Sequence, residues 1–344
     1  MNTASRVKIA VYSLDLPHYA CAELRILAPL RRLRQHLDCK WAVQDCQGQS
    51  RIDATLMDWA DILVVQRYFP LEETRPILDR MLASGKPVCY DIDDFLLEVP
   101  HTHPLFHNFQ RTAPFIREFL PAASLVTVTT DALCERITAF NPNTVTLPNL
   151  IDESAFLPAC SANDPTKTVI AFMGSPTHGQ DLELIQDILF RIRDKFGCSV
   201  EFVFWGCTGT RLAELGRVIP FDDSYASFLK TLGKVHFDIG LAPLADNTFN
   251  RCKSNIKWLE YSAYARPGVY SDLEPYRGSV VHGKTGMLAG NDPHEWLNAL
   301  EYLITHPTER QAMGRAARKD AFARFGLSKG VHRYLEVYSG LLGR

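Results

Sequence analysis

The sequence predicts an α/β protein built from two Rossmann-like halves, each a parallel sheet covered on both faces by helices. Three observations carry this. Short, nearly continuous apolar runs alternate with amphipathic stretches of helical period along most of the chain. The alternation is interrupted once, by Pro158–Lys167 (P-A-C-S-A-N-D-P-T-K), which has linker composition. It then restarts, leaving two halves of similar size, and 344 residues is a comfortable length for two domains.

In the first half, Val7–Ser13 reads as a strand and Tyr19–Gln35 as a helix. Lys40–Val43 is a short strand, Ala54–Ala60 a helix and Ile62–Gln66 a buried strand. A helix over Glu72–Ala83 ends at Gly85, and Lys86–Tyr90 forms the next strand. Glu98–Asn108, rich in Pro and His, reads as an irregular loop before a helix at Ala113–Leu120. Strand Leu125–Thr129, helix Asp131–Phe140 and strand Thr144–Leu147 follow.

In the second half, Thr168–Met173, Ser199–Trp205, Val235–Leu241 and Pro267–Ser271 are strands. Gln180–Lys195, Asp223–Leu232 and a segment from Ser254 or Asn255 to Arg266 are helices. Three helices close the chain, at Pro293–Thr305, Pro307–Ala323 and Leu327–Leu341. The expected division is an N-terminal domain over 1–157, a linker over 158–167, a second domain over 168–326 and a C-terminal helix over 327–344. That last helix is expected to pack back on the first domain.

Composition sets bounds. Hydrophobic residues at 46% and charged residues at 22% are globular values, and a net charge of −2 argues against a general nucleic-acid binder. The nine cysteines are scattered without a C-x-x-C pair, which supports neither a disulfide framework nor a zinc knuckle and fits a reducing cytoplasm. Met-Asn-Thr-Ala-Ser-Arg has no apolar signal region, and no stretch approaches the roughly eighteen apolar residues of a membrane span. A soluble cytoplasmic protein is expected, with docking at a membrane surface still compatible with the sequence. G-x-S-x-G, H-E-x-x-H and P-loop motifs are absent.

Open parallel sheets bind ligands outside the carboxyl ends of their strands, so the residues after each strand are the candidates. The most informative is the run Asp238–Tyr261, where a buried strand breaks at Pro243 and a helix follows a polar loop. Arg251, Lys253 and Lys257 gather at that helix start, against the positive end of its dipole. Such a cost suits an anion site, since free N–H groups and lysines together bind phosphate. At helical spacing, Glu260 shares a face with Lys253 and Lys257. A pyrophosphate site with a carboxylate for the ribose behind it, or a solvated Lys–Glu face, both fit.

Gly174-Ser-Pro-Thr-His-Gly179 lies between a strand and a helix. Its glycines allow close backbone approach, and Ser175, Thr177 and the following N–H groups can meet anionic oxygens. His178 can donate to phosphate, cap the helix or sit exposed. Asp91-Ile-Asp-Asp94, read as following a strand, supports a divalent-metal site, a solvated turn or a wall where a carboxylate meets a substrate hydroxyl. Arg67 after Ile62–Gln66 either contacts ligand or pairs with that acidic run. His101, His103 and His107 have no ligand spacing, so no metal site is expected.

These residues resemble the GT-B glycosyltransferases, specifically the large retaining group called family 4 or "group 1". Pro148-Asn-Leu-Ile-Asp152 is similar to the P-N-x-x-D that ends that family's first domain. Gly174-Ser175 matches its glycine turn, and Asp238–Leu244 with Glu260, Ala263, Arg266-Pro267 and Gly286 is similar to its donor block. A subgroup with Y-D-I-D-D and K-S-x-I-K-x-L-E-Y, associated with surface-polysaccharide or glycan assembly, matches best. The resemblance implies a two-domain enzyme with a cleft between its halves. It would move a sugar, with retention, from a nucleotide-diphosphate sugar to a glycan, lipid-linked or other hydroxyl acceptor.

The expected donor-side residues are Gly174, Ser175, His178, Gly206, Lys253, Ser254, Asn255, Lys257 and Glu260, with the base near Gly206 and Val218–Phe221. Asp93, Asp94 and Lys253 are the catalytic candidates, Arg67 and His18 the acceptor-side ones. No metal and no cofactor beyond the donor substrate is implied. The chain also departs from the family. His18-Tyr-Ala-Cys-Ala-Glu23 replaces the glycine pair, Cys252 stands where E-x7-E has its first acid, and the Arg and Lys that clamp the diphosphate after the glycine turn are missing. The alternatives are a metal-dependent transferase centred on Asp91–Asp94, a GT-B-shaped binding protein without catalysis, and a nucleotide-sugar epimerase.

Overall fold

A computed structural model describes residues 6–46, 49–156, 164, 166–209 and 211–343. Most of the expected linker at Pro158–Lys167 therefore lies outside the described residues.

The first half builds a six-stranded, all-parallel sheet from β1 (Val7–Tyr12), β2 (Leu37–Trp41), β5 (Ile62–Gln66), β6 (Val88–Ile92), β7 (Leu125–Val128) and β8 (Thr144–Thr146). Their spatial order is β2-β1-β5-β6-β7-β8. β3 (Val43–Cys46) and β4 (Gln49–Ile52) pair antiparallel beside it. The chain from β1 winds outward through α1 (Ala20–Ala22), a π-turn at Glu23–Leu27 and α2 (Ala28–Arg32) to β2. It then crosses back, through α3 (Leu56–Trp59), to β5 on the other side of β1. That reversal makes the β1/β5 crevice the topological switch point. α4 (Arg75–Ala83), α5 (Phe106–Phe119) and α6 (Asp131–Thr138) complete this half. The Pro- and His-rich segment is not wholly irregular, because α5 already begins at Phe106 and carries Pro114 inside it. β6 runs two residues further than expected, which makes Asp91 a buried strand residue instead of a loop residue.

The second half repeats the plan with β9 (Thr168–Met173), β10 (Val200–Trp205), β11 (Gly216–Ile219), β12 (Ile239–Ala242), β13 (Gly268–Ser271) and β14 (Met287–Ala289). Their order is β11-β10-β9-β12-β13-β14, all parallel, and the switch point falls between β9 and β12. The helices are α7 (Gly179–Glu183), α8 (Gln186–Phe196), α9 (Tyr225–Leu232), α10 (Thr248–Arg251), α11 (Ile256–Ala263), α12 (Glu274–Arg277), α13 (Pro293–Thr305) and α14 (Pro307–Phe325). Strand residues alternate between two apolar layers. Ile170 and Phe172 face α8 and α13, whereas Ala171 and Met173 face the layer holding α11. Gly240 in the middle of β12 is explained by α11, since a Cβ there would fall 2.2 Å from the Tyr261 ring.

The last helix, α15 (Leu327–Gly340), belongs to the first unit, as expected. Leu327, Val331, Tyr334 and Tyr338, at helical spacing, enter the core formed by Val7, Ile9, Ile26, Leu30 and Ile62. The two compact units are 1–150 with Cys252–Ser254 and 327–344, and 151–251 with 255–326. No helix among the described residues is long and apolar enough to cross a membrane.

Candidate functional site

In the second unit, the loops leaving β9, β10 and β12 and the start of α11 converge. Gly174 follows β9 and donates to the carbonyl of Trp205 at 3.0 Å. Gly206 follows β10 with φ +77°, and a Cβ on it would sit 2.2 Å from the Gly174 carbonyl oxygen and 3.0 Å from the Phe221 ring. Only a glycine allows these two strand ends to close on each other. The Ser175 and Thr177 hydroxyls lie 2.7 Å apart in the turn that follows.

His178 closes that turn, is not exposed, and stands at the N-cap position of α7 without a side-chain cap hydrogen bond. Its Nδ1 lies 2.8 Å from Oδ2 of Asp181, and its Nε2 lies 3.1 Å from the Lys257 Nζ. The other oxygen of Asp181 accepts from the Ala245 backbone N–H at 2.8 Å and from the Asn250 amide at 3.0 Å. One buried carboxylate thus ties the loop after β9 to the loop after β12, across the switch point.

Lys257 and Glu260 project from one face of α11, and neither is solvated, each being 7% exposed. That disposes of the solvated Lys–Glu face. Burial pushes the Glu260 carboxyl up to about 7, against the pull of Lys257 and a hydrogen bond with Tyr225 at the start of α9. Asn255 stands at the N-cap position, but its amide donates to the Ser279 hydroxyl at 2.8 Å, and no side chain caps the helix. The first-turn N–H groups of α11 keep their capacity to meet an anion.

Lys253 is placed differently from the expectation. α11 begins at Ile256, so helical spacing does not extend back to residue 253. Lys253 belongs with the first unit, where its Nζ lies 3.6 Å from Oδ1 of Asp94. Ser254 goes with it, accepting from the Asn149 amide at 3.1 Å. Cys252 is buried, its backbone carbonyl accepting from the Thr130 hydroxyl at 3.0 Å and its thiol reaching the Ala132 carbonyl at 3.8 Å. The third cation, Arg251, is held by Asp246 at 2.6 and 2.7 Å and by Glu274 at 2.6 Å.

In the first unit, the three carboxylates read as one acidic run do not converge. Asp91 turns into the protein and takes two hydrogen bonds at 3.1 Å and one at 2.9 Å from Arg25. Arg25 also reaches the Leu147 carbonyl, Asn149 and Tyr334 of α15. Both charges are essentially inaccessible, and burial raises the Asp91 carboxyl more than Arg25 lowers it. Asp93 instead receives Arg67 at 2.5 and 2.6 Å. The Arg67 Nε lies 3.1 Å from Asp15, whose other oxygen accepts from the Tyr68 hydroxyl at 2.6 Å. Arg67 holds φ +53°, the left-handed region that a non-glycine residue adopts only when its surroundings impose it. His18 is exposed on the loop after β1, edge-on to the Tyr19 ring at 4.8 Å. Among the described residues no group of three or more His, Cys, Asp or Glu side chains is placed to hold a metal ion.

Sequence reasoning missed Asp181, Asn250, Tyr225 and Arg25. Asp181 stands three residues after His178 at a helix start, which was a usable signal. Arg25 interrupts an apolar stripe of Ala22, Ile26, Pro29 and Leu33, and a charge on such a stripe asks for a buried partner.

No protein-family model matches the chain. A curated relative, the D-inositol 3-phosphate glycosyltransferase of Thermobispora bispora, is 36% identical over 87 residues, which is 25% of this chain and 20% of that protein's length. Among solved structures, sucrose-phosphate synthase from Thermosynechococcus elongatus superposes with a TM-score of 0.71 at 11% identity, over 98% of this chain and 100% of that one. Anabaena HepE in complex with UDP-glucose gives 0.66 at 14% identity, over 98% and 100%. At these identities the likeness is one of architecture, and the two doubly wound parallel sheets with the returning C-terminal helix are that architecture: the chain has the GT-B fold of the glycosyltransferases.

Proposed function

We propose that the chain is a glycosyltransferase whose second unit binds a nucleotide-diphosphate sugar at the β9/β12 switch point. The observation that carries this is the buried Lys257–Glu260 pair on α11, next to His178 and the touching Gly174 and Gly206 turns. In this reading Glu260 accepts from the ribose hydroxyls, and Lys257 with the α11 N–H groups meets the diphosphate. Ser175 adds a hydroxyl donor, and Gly206 with the exposed Phe221 flanks the base. Lys257, being buried in the same unit as Glu260, takes the leading phosphate role in place of Lys253, which the missing family Arg and Lys had pointed to with Arg251 or Lys257 as its aid.

The chemistry asked of this site is stabilisation of a leaving diphosphate. When an acceptor oxygen bonds to the anomeric carbon, the bond from that carbon to the β-phosphate oxygen breaks and negative charge builds on the phosphate. A preorganised ammonium and a helix N-terminus are worth most where water is excluded. Retention of configuration, a glycan or lipid-linked acceptor and a role in surface-polysaccharide assembly rest on the family resemblance. Asp93, Asp94, Arg67 and His18 stay the acceptor-side candidates of the first unit, with Arg67 holding Asp93 and Asp15 in place.

Calorimetry tests the reading. The Anabaena neighbour is in complex with UDP-glucose, which makes that compound the first probe. The parent is expected to bind it, and Glu260→Ala and Lys257→Ala each to weaken binding by ~1–3 kcal/mol, the range for losing a charged hydrogen bond. Unchanged binding in both variants would remove the donor-site assignment.

A further inference from the structure

We propose that Asp181 is a positioning residue that sets the tautomer of His178 and, through it, aims the Lys257 ammonium. The assignment rests on the donor-site reading only for its consequence in binding, not for its geometry.

An ammonium has three N–H donors and no lone pair, so a ring nitrogen 3.1 Å from the Lys257 Nζ accepts. With Nε2 accepting, the neutral imidazole carries its proton on Nδ1, which donates to Asp181 Oδ2 at 2.8 Å. The opposite tautomer, or an imidazolium, would set two donors face to face. Asp181 is 6% exposed and cannot rotate away, because its other oxygen is held by the Ala245 N–H and the Asn250 amide. The ring itself is confined, with its edge against Phe172 and its Cδ2 3.2 Å from where a Cβ on Gly174 would stand. Carboxylate, imidazole and ammonium thus form a directed chain from α7, where Ala245 and Asn250 hold Asp181, through the turn after β9 to α11. The polarity of each link is fixed by the one before it.

Asp181→Asn tests this, because the amide is nearly isosteric with the carboxylate. Its oxygen still accepts from Ala245 and Asn250, while its NH2 group turns to His178 Nδ1. That nitrogen must now accept, the proton moves to Nε2, and Nε2–H confronts the ammonium. Nitrogen-15 NMR of the ring, with the His178 signal assigned by its loss in His178→Ala, is expected to show Nδ1–H in the parent and Nε2–H in Asp181→Asn. UDP-glucose affinity is expected to fall about tenfold in Asp181→Asn, the scale of coupling between hydrogen-bonded neighbours, and to fall no further when Asp181→Asn is added to His178→Ala.

Two results would overturn the proposal: an unchanged ring tautomer in Asp181→Asn, or an equal loss of affinity with and without His178. The second would make Asp181 a merely structural tie of the β12 loop. If the parent fails to bind UDP-glucose, the donor-site reading falls, and the ring signature alone still decides the role of Asp181.

Discussion

The two units are both six-stranded, all-parallel sheets with one reversal of strand order, and they put polar clusters of opposite polarity at their switch points. In the first, a cation lies at the centre: Arg67 draws in Asp15 and Asp93, with Asp94 at 4.0 Å. In the second, a carboxylate lies at the centre, and Asp181 gathers His178, the Ala245 N–H and Asn250 while Lys257 stands beyond. A carboxylate-rimmed cluster suits substrate hydroxyls, which donate. A cluster ending in an ammonium beside uncapped helix N–H groups suits phosphate oxygens, which accept. One fold used twice therefore offers two ligand chemistries, and the difference lies in which charge is buried at the hub. Donor binding in the second unit and acceptor binding in the first is the assignment this contrast supports.

The comparison breaks most readily at the buried ion pair that anchors the first unit. Asp91→Ala leaves the buried Arg25 without its counter-ion, with only neutral partners at Leu147, Asn149 and Tyr334, and is expected to cost ~3–5 kcal/mol of stability in urea unfolding. A loss below ~1 kcal/mol would show that Arg25 finds water or another partner. In the second unit, Gly206→Ala forces a Cβ into the Gly174 carbonyl at a left-handed φ. A loss of ~2–4 kcal/mol by thermal unfolding is expected, from backbone strain together with overpacking.

Glu260 sharpens the contrast through pH. Its carboxyl is raised to about 7 in the folded protein from an ordinary value of 4.5. Between those values the native state keeps a proton that the unfolded chain has lost, so this group makes stability fall as pH rises through that window. Ligand binding is expected to run the other way. In the proposed donor site the carboxylate accepts from both ribose hydroxyls, so on that proposal affinity for UDP-glucose, whose diphosphate does not itself titrate near neutrality, should rise as pH passes about 7. Glu260→Gln should flatten that profile. A pH-independent affinity in the parent would separate Glu260 from the ribose.

The alternation of strands and helices was legible in the sequence because buried parallel strands are continuous apolar runs. Edges were less so. β11 (Gly-Arg-Val-Ile) is half exposed, and the pairing of β3 with β4 uses polar residues such as Gln44, Asp45, Ser50 and Arg51, so neither carries an apolar signal. For the candidate site, the strand-end loops and the Lys257–Glu260 face were readable from topology and period. Which charges pair was not. Asp91 and Asp93 stand two residues apart yet serve Arg25 and Arg67, an outcome set by where the helical turn at Glu23–Leu27 and the turn after β5 deliver these arginines. Lys253 illustrates the same limit, since its expected place beside Glu260 carried helical spacing back past a start at Ser254 or Asn255, whereas α11 begins at Ile256.

The two lysines four residues apart give the most direct test of the central claim. Lys257 belongs to the second unit beside Glu260, and Lys253 to the first beside Asp94. Calorimetric titration of UDP-glucose into Lys257→Ala and Lys253→Ala should show a loss of ~1–3 kcal/mol for the former and less than ~0.5 kcal/mol for the latter. The reverse order would place the diphosphate with the first unit's cations and contradict the account.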